Sequence, residues 1–221
     1  MTHKTWIPAA IAFVVVIAAF SVLPTTAEAG DGPWRLRLFA VSMNPTGDEV
    51  VVEGSGERIS FDAGAGYGGG FELEYQVSRR LGIEFGVLTA SPVIDVLIDE
   101  VGGISASAQP RISPLYAGLN IHLTPESPAD LYIGPMLAYV VYSSFDLVTD
   151  PWFLRESFVA ENDFGIGINV GLDVRLGESG WLLTAAFKYL VTTLESSPPG
   201  EGVGRTDLDP IIFSVGVGYR F

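Results

Sequence analysis

The chain has 221 residues, among them 26 Gly, 13 Phe and 8 Tyr, no Cys, and a net charge of −14. That length suits one domain, since β-barrels of this size are commonly a single unit. The lack of Cys excludes disulfides, thiolate metal sites and thiol nucleophiles. Only His3 and His122 could supply imidazole, and 26 acidic residues against 12 basic ones exclude a basic footprint for nucleic acid.

The first segment reads MTHKTWIPAAIAFVVVIAAFSVLPTTAEAG. His3 and Lys4 precede an apolar stretch from Trp6 to Leu23, and Ala27-Glu28-Ala29 is a small-x-small cleavage pattern before Gly30. Residues 1–29 are expected to be a secretory signal peptide, leaving 30–221 as the mature chain outside the cytoplasm.

From there a period-two alternation recurs eight times, the mark of strands whose two faces meet different surroundings. Trp34, Leu36, Leu38 and Ala40 alternate with Arg35, Arg37 and Phe39, then Phe71, Leu73, Tyr75 and Val77 with Glu72, Glu74 and Gln76. Leu81, Ile83, Phe85 and Val87 alternate with Gly82, Glu84 and Gly86, and Leu115 to Leu123 alternate with Tyr116, Gly118, Asn120 and His122. The fifth segment sets Leu131, Ile133, Leu137, Tyr139 and Val141 against Tyr132, Gly134, Met136 and Ala138. In FGIGINVGLDVRL every second residue from Phe164 to Leu176 is apolar, opposite Gly165, Gly167, Asn169, Gly171, Asp173 and Arg175. Trp181, Leu183, Ala185, Phe187, Tyr189 and Val191 face away from Thr184, Ala186 and Lys188, and IIFSVGVGYRF is the eighth segment. Pro135 is awkward in a closed barrel and is expected to mark a bulge.

Long connections at about 44–62, 91–110, 143–162 and 194–209 alternate with short ones at 78–80, 124–130 and 177–180. In an up-and-down barrel, alternate connections lie at the same end, so all long loops share one end, and the short turns and both termini share the other. Outer-membrane barrels are built this way. A soluble barrel would show the same alternation with its faces swapped. Here the polar face is mostly Gly, Ala, Ser and Thr with a few charges, which suits the cramped bore of eight strands. Aromatics on the apolar face cluster near both strand ends, as bilayer interfaces select. The expected fold is all-β, an eight-stranded antiparallel up-and-down transmembrane β-barrel.

The eight segments, the mature start GDGPWRLRLFAVSMNP and the terminal Phe221 with Tyr219 two positions before it resemble the OmpW family of small outer-membrane barrels. The resemblance implies a bacterial outer-membrane location, with long loops extracellular and termini periplasmic. It implies Tyr219 and Phe221 as the signal read by the barrel-assembly machinery. It also implies binding or passive passage of small hydrophobic molecules through a hydrophobic mouth.

Several candidate sites are legible. GAGYGG at 64–69 matches a dinucleotide fingerprint by letter, but a strand pattern follows where a helix should open. Inward positions carry Arg35, Arg37, Arg175, Lys188 and Arg220 against Glu72, Glu74, Glu84 and Asp173, which predicts a lumen charge network acting as a plug. Apolar runs in the long loops, with Leu97, Ile98, Phe145, Trp152 and Phe153, need burial: they either extend the strands and pack as a lid or line a hydrophobic mouth, which the resemblance implies for an apolar ligand. The long connections with Asp163 hold 17 acidic residues against Arg58, Arg155 and Arg205, so a charge of −14 falls there. A solvated outer surface is the expectation, with cation-bridged lipopolysaccharide as the partner alternative. Related small barrels that are enzymes use a His near the outer rim, whereas His122 falls at the turn end. No enzyme, cofactor or metal site is expected. The competing function is a structural or adhesive surface barrel of OmpX or OmpA type.

Overall fold

The computed structural model describes residues 32–46, 49–52, 58–98, 104–150, 155–197 and 204–221. Residues 1–29, and Trp152 and Phe153 in the expected mouth, lie outside these. In chain order, β1 (Trp34–Asn44) leads to the hairpin β2 (Glu49–Val52) and β3 (Arg58–Ala63), then β4 (Gly66–Ser78) and β5 (Leu81–Ser91). Hairpin β6 (Ile94–Ile98) and β7 (Ile104–Ala108) precedes β8 (Ile112–His122) and β9 (Ala129–Tyr142). Hairpin β10 (Phe145–Asp150) and β11 (Arg155–Ala160) precedes β12 (Asp163–Arg175) and β13 (Trp181–Val191), and hairpin β14 (Thr193–Ser197) and β15 (Gly204–Asp207) precedes β16 (Ile211–Arg220).

The eight long strands close into one antiparallel barrel in the order β1-β16-β13-β12-β9-β8-β5-β4. The last strand seals the ring against the first from Arg35↔Arg220 to Asn44↔Ile211. Beyond it, Phe221 N donates to Trp34 O at 3.0 Å and Trp34 N to Phe221 O at 3.1 Å. Closure satisfies the backbone groups that an open sheet would expose to lipid, which is why a sheet can span a bilayer only as a barrel.

The apolar face points outward, as the alternation requires. Leu38 is 54% exposed and Phe85 54%, while their neighbours Arg37 and Glu84 are 0% and 1% exposed. At the turn end Trp34 packs on Tyr75, and Trp181 packs on Tyr219, which stacks on Phe221. At the loop end Tyr139 meets Phe164, and Tyr67 and Phe164 are among the most exposed side chains.

Two expectations are corrected. The long connections are not plain loops: their described residues form four hairpins that pair with one another into a second closed eight-stranded barrel on top of the first, in the order β2-β3-β6-β7-β10-β11-β14-β15. The strands break between the two storeys at residues that cannot continue a ladder or that cap it. Pro45, Pro92, Pro110 and Pro210 all fall there, without an N–H to donate. Asn162 Oδ1 accepts from Tyr142 N, and Asp163 Oδ2 accepts from Thr193 N. Asp209, with φ +35°, accepts from Thr192 N. Pro135, in turn, makes no bulge. The β8–β9 register is the same at Gly118↔Met136 and Ile121↔Ile133 on either side of it, and the ladder only lacks the pairings between.

Candidate functional site

The bore has two layers, set by what each strand carries inward along its length. On β1 the inward residues run Arg35, Arg37, Phe39, Val41, Met43, from charged at the turn end to apolar at the loop end, and all are buried. The same order recurs on β5 (Glu84, then Leu88 and Ala90), on β8 (His122 and Asn120, then Tyr116 and Ile112) and on β9 (Asp130, then Met136, Ala138 and Val140).

The turn-side layer is a hydrogen-bonded charge plug. Arg37 donates through Nε and Nη2 to Asp173 at 3.1 and 2.7 Å, through Nη2 to Glu74 at 2.9 Å and through Nη1 to Glu84 at 3.2 Å. Its guanidinium also lies 4.9 Å from the centre of the Tyr132 ring, within cation–π range. Arg35 Nη1 reaches Asp130 at 3.0 Å and Asp173 at 3.1 Å. Lys188 Nζ binds Glu72 at 2.8 Å, Glu84 at 3.3 Å and the Asn169 side-chain carbonyl at 2.8 Å. Thr184 donates to Asp173, and Tyr116 donates to Glu72.

Strand register explains why so many cations are needed here. Glu74 stands directly across from Glu84, and Asp173 across from Asp130, like-charge pairs that repel when unmediated. Asn120 Nδ2 bridges the first pair at 2.8 Å to each carboxylate, and Arg35 spans the second. His122 sits between Glu74 Oε1 at 2.9 Å and Asp130 Oδ2 at 2.8 Å.

The structure thus brings together seven of the nine lumen residues read from the sequence: Arg35, Arg37, Glu72, Glu74, Glu84, Asp173 and Lys188. Arg175 and Arg220 stand apart, half-buried at the turn end. Arg175 donates to Pro125 O, and Arg220 to Gly32 O at 2.9 Å and Gln76 Oε1 at 3.2 Å. Arg175 thus caps the β8–β9 turn, while Arg220, across from Arg35 in the wall, shares Gln76 Oε1 with it. His122, read from the sequence as a satisfied lumen histidine, joins the network, as do Asn120 and Asn169 from the inward faces and Asp130, which the sequence reading left in a turn. Carrying the period of two back from Tyr132 through the turn would have placed Asp130 inward.

The loop-side layer is a packed apolar cluster that includes Met43, Leu88, Ile112, Val140, Leu190, Leu208 and Ile212, all fully or almost fully buried. Ile94 and Leu194 of the upper barrel join it, so the cluster links the two storeys. Of the expected mouth, Leu97 and Ile98 lie on β6, paired with Ser105 and Ile104 of the same hairpin. Phe145, half-buried, lines an open depression of about 490 Å³ with Val93, Ser107, Ala108, Gln109, Ser144 and Asp146. The depression lies where the wall ladders part, between Ile112↔Tyr142 below and Ser107↔Val148 above.

A closed barrel with an apolar belt outside, aromatic girdles and a sealed polar core is the architecture of an outer-membrane protein, and the model of the outer membrane protein beta-barrel domain matches residues 12–221. The chain belongs to that family. Among solved structures the family member resembles OprG of Pseudomonas aeruginosa at 18% identity and TM-score 0.69, over 89% of this chain and 99% of that one. It resembles AlkL, solved in DMPC lipid bilayers, at 21% identity and TM-score 0.59, over 90% and 94%. Neisserial surface protein A follows at 12% identity and TM-score 0.50, over 86% and 98%. No curated protein matches the sequence. These are small outer-membrane barrels, so the OmpW-like resemblance stands at the level of the fold.

Proposed function

We propose that this outer-membrane barrel binds small hydrophobic molecules at its outer mouth and passes them on passively. The observation that carries the reading is the layered bore. A water-filled pore needs a polar lining from end to end, whereas here the half nearest the long hairpins is apolar and the half nearest the turns is closed by buried ion pairs. An apolar solute therefore meets a compatible surface from the outside and a barrier below. Moving it axially would require parting Arg37 from three carboxylates. The low-cost way out is sideways into lipid, at the level where the two storeys meet and the wall ladders part.

In this reading residues 1–29 export the chain, the hairpins face the exterior and the termini the periplasm. Tyr219 and Phe221 engage the barrel-assembly machinery, and lipid with lipopolysaccharide surrounds the wall. The protein acts by binding rather than catalysis. The one His among the described residues is held between two carboxylates in the plug, far in the fold from the outer hairpins.

The test replaces Leu97 and Trp152 with Asp and measures uptake or fluorescence binding of a small hydrophobic probe in matched liposomes. Burying a Leu and an aromatic stabilises by roughly 1.5–3 kcal/mol each, so the double variant should bind at least about tenfold more weakly. Equal signals from a folded variant would refute the reading and favour a structural or adhesive barrel.

A further inference from the structure

Strands β8, β5, β4 and β1 adjoin in the ring, and on the lipid face they end differently from the others. Outward positions can be counted up from the turn-end girdle, where Trp34 opens β1 and Trp181 opens β13. On β13 they run Leu183, Ala185, Phe187, Tyr189 and Val191, apolar or aromatic to the last. On β1 they run Leu36, Leu38 and Ala40, and then Ser42 and Asn44, so the last two steps are polar.

Register spreads this change sideways. Ser42 lies across from Tyr67 on β4, and Tyr67 across from Ser91 on β5. Ala40 lies across from Gly69, and Gly69 across from Thr89. Thr89 and Ser113 of β8 share a hydrogen bond of 3.0 Å between their hydroxyls. The patch stops at both borders, because Ser42 is across from Phe213 on β16 and Ser113 across from Val141 on β9. Beyond those borders the wall stays apolar up to the hairpins. Phe164 and Ile166, the latter across from Val191, are 69% and 66% exposed, and Val159 of β11 is exposed as well.

A second mark lies above the patch. Asp62 on β3 and Asp95 on β6 stand directly across from each other, both exposed. Since β3 runs on into β4 and β5 into β6, these carboxylates follow closely on Tyr67 and Ser91. Charges on the lipid face are destabilising at depth, and hydroxyls find few partners among acyl chains. Headgroups and water would pair with all of them, and the ring of Tyr67 is of the amphipathic kind that settles at an interface.

We propose that the hydrocarbon boundary steps down along β1, β4, β5 and β8, where lipid headgroups rather than acyl chains cover the wall at its hairpin end. With about 3.3 Å per residue and a strand tilt of about 40°, the two polar steps on β1 lower the boundary by roughly 10 Å. A belt shorter than the hydrocarbon is met by thinning of the bilayer. The leaflet beside this flank is therefore thinned, while beside β9, β12, β13 and β16 it keeps its full depth.

The chain has no Cys, so single substitutions carry a spin label without background. Ser42→Cys and Thr89→Cys are compared with Ile166→Cys and Val191→Cys, and with Leu38→Cys in the middle of the belt, after heat-modifiable migration has shown each barrel folded in liposomes. Labels at positions 42 and 89 should collide chiefly with a water-soluble nickel chelate, and those at 38, 166 and 191 chiefly with oxygen dissolved in the lipid. Labels at 42 and 89 immersed as deeply as the one at 166 overturn the proposal. So does a label at 38 as accessible to nickel as the one at 42, because the step must lie between them. Magnetisation transfer from water in solid-state NMR spectra of the unmodified barrel makes the same comparison without a variant. Thr89 and Ser113 should show water contact that Ile166 lacks, and equal transfer to all three overturns the step.

Discussion

Arg37 and Asp173 are joined across the bore by two hydrogen bonds, Nε to Oδ1 at 3.1 Å and Nη2 to Oδ2 at 2.7 Å, with both side chains removed from solvent. This fork between β1 and β12 ties together strands that are not neighbours in the wall. Asp173→Asn should destabilise the barrel by about 3–5 kcal/mol, as loss of one partner of a buried pair does. Urea unfolding followed by the loss of heat-modifiable migration measures it, and a midpoint equal to wild type would show that the plug adds nothing to stability.

A methyl group at Gly86 would sit 2.4 Å from the Tyr116 ring and hydroxyl and 2.9 Å from Glu72 Cγ. The missing side chain is what lets Tyr116 lie against the wall and reach Glu72. Gly86→Ala is expected to destabilise the barrel, and adding Tyr116→Leu should recover part of the loss. Gly64→Ala is the control, since its methyl meets Val93 O at an ordinary 3.6 Å. Thermal unfolding of the four proteins in one detergent decides.

Leu38 faces outward near the middle of β1, 54% exposed in the isolated chain. In a bilayer, Leu38→Arg should cost about 2–4 kcal/mol, the penalty for an arginine on the lipid face near the midplane. In a barrel surrounded by water the same change would be close to neutral. Refolding equilibria in liposomes compare the two, and a tolerated arginine would reverse the inside-out assignment.

Removing Phe221 deletes the residue that exchanges two backbone hydrogen bonds with Trp34 and stacks on Tyr219. Less folded barrel should then accumulate in outer-membrane fractions, and Phe221→Tyr should restore it. Undiminished levels of the truncated protein would leave Phe221 without an assembly role.

The wall of the lower barrel was legible because one face contrasts with the other at nearly every position, and a period of two converts that contrast into inside and outside. The contrast fades at the loop end. There Val140, Val141 and Tyr142, or Ile211, Ile212 and Phe213, are apolar on both faces, so the apolar layer of the bore left no separate mark. The hairpin strands were illegible for another reason. Segments such as Glu49–Val52 and Gly204–Asp207 are four residues long, and their pairing comes from ring closure among residues far apart in the chain. The plug was legible as a paired network of inward charges, but Asp130 and the pairing of each carboxylate with each cation were not. That pairing depends on register, which places Glu74 opposite Glu84 and Asp130 opposite Asp173.

The second storey also changes what the protein shows to its neighbours. A sheet with a free border invites another chain to add a strand, and secreted proteins crowded on a surface meet that hazard constantly. Because the hairpins close on each other from β2 round to β15, the described flanks of the projecting part carry no open border. Among the described residues the hairpin strands therefore leave no edge on which a neighbouring chain could add a strand.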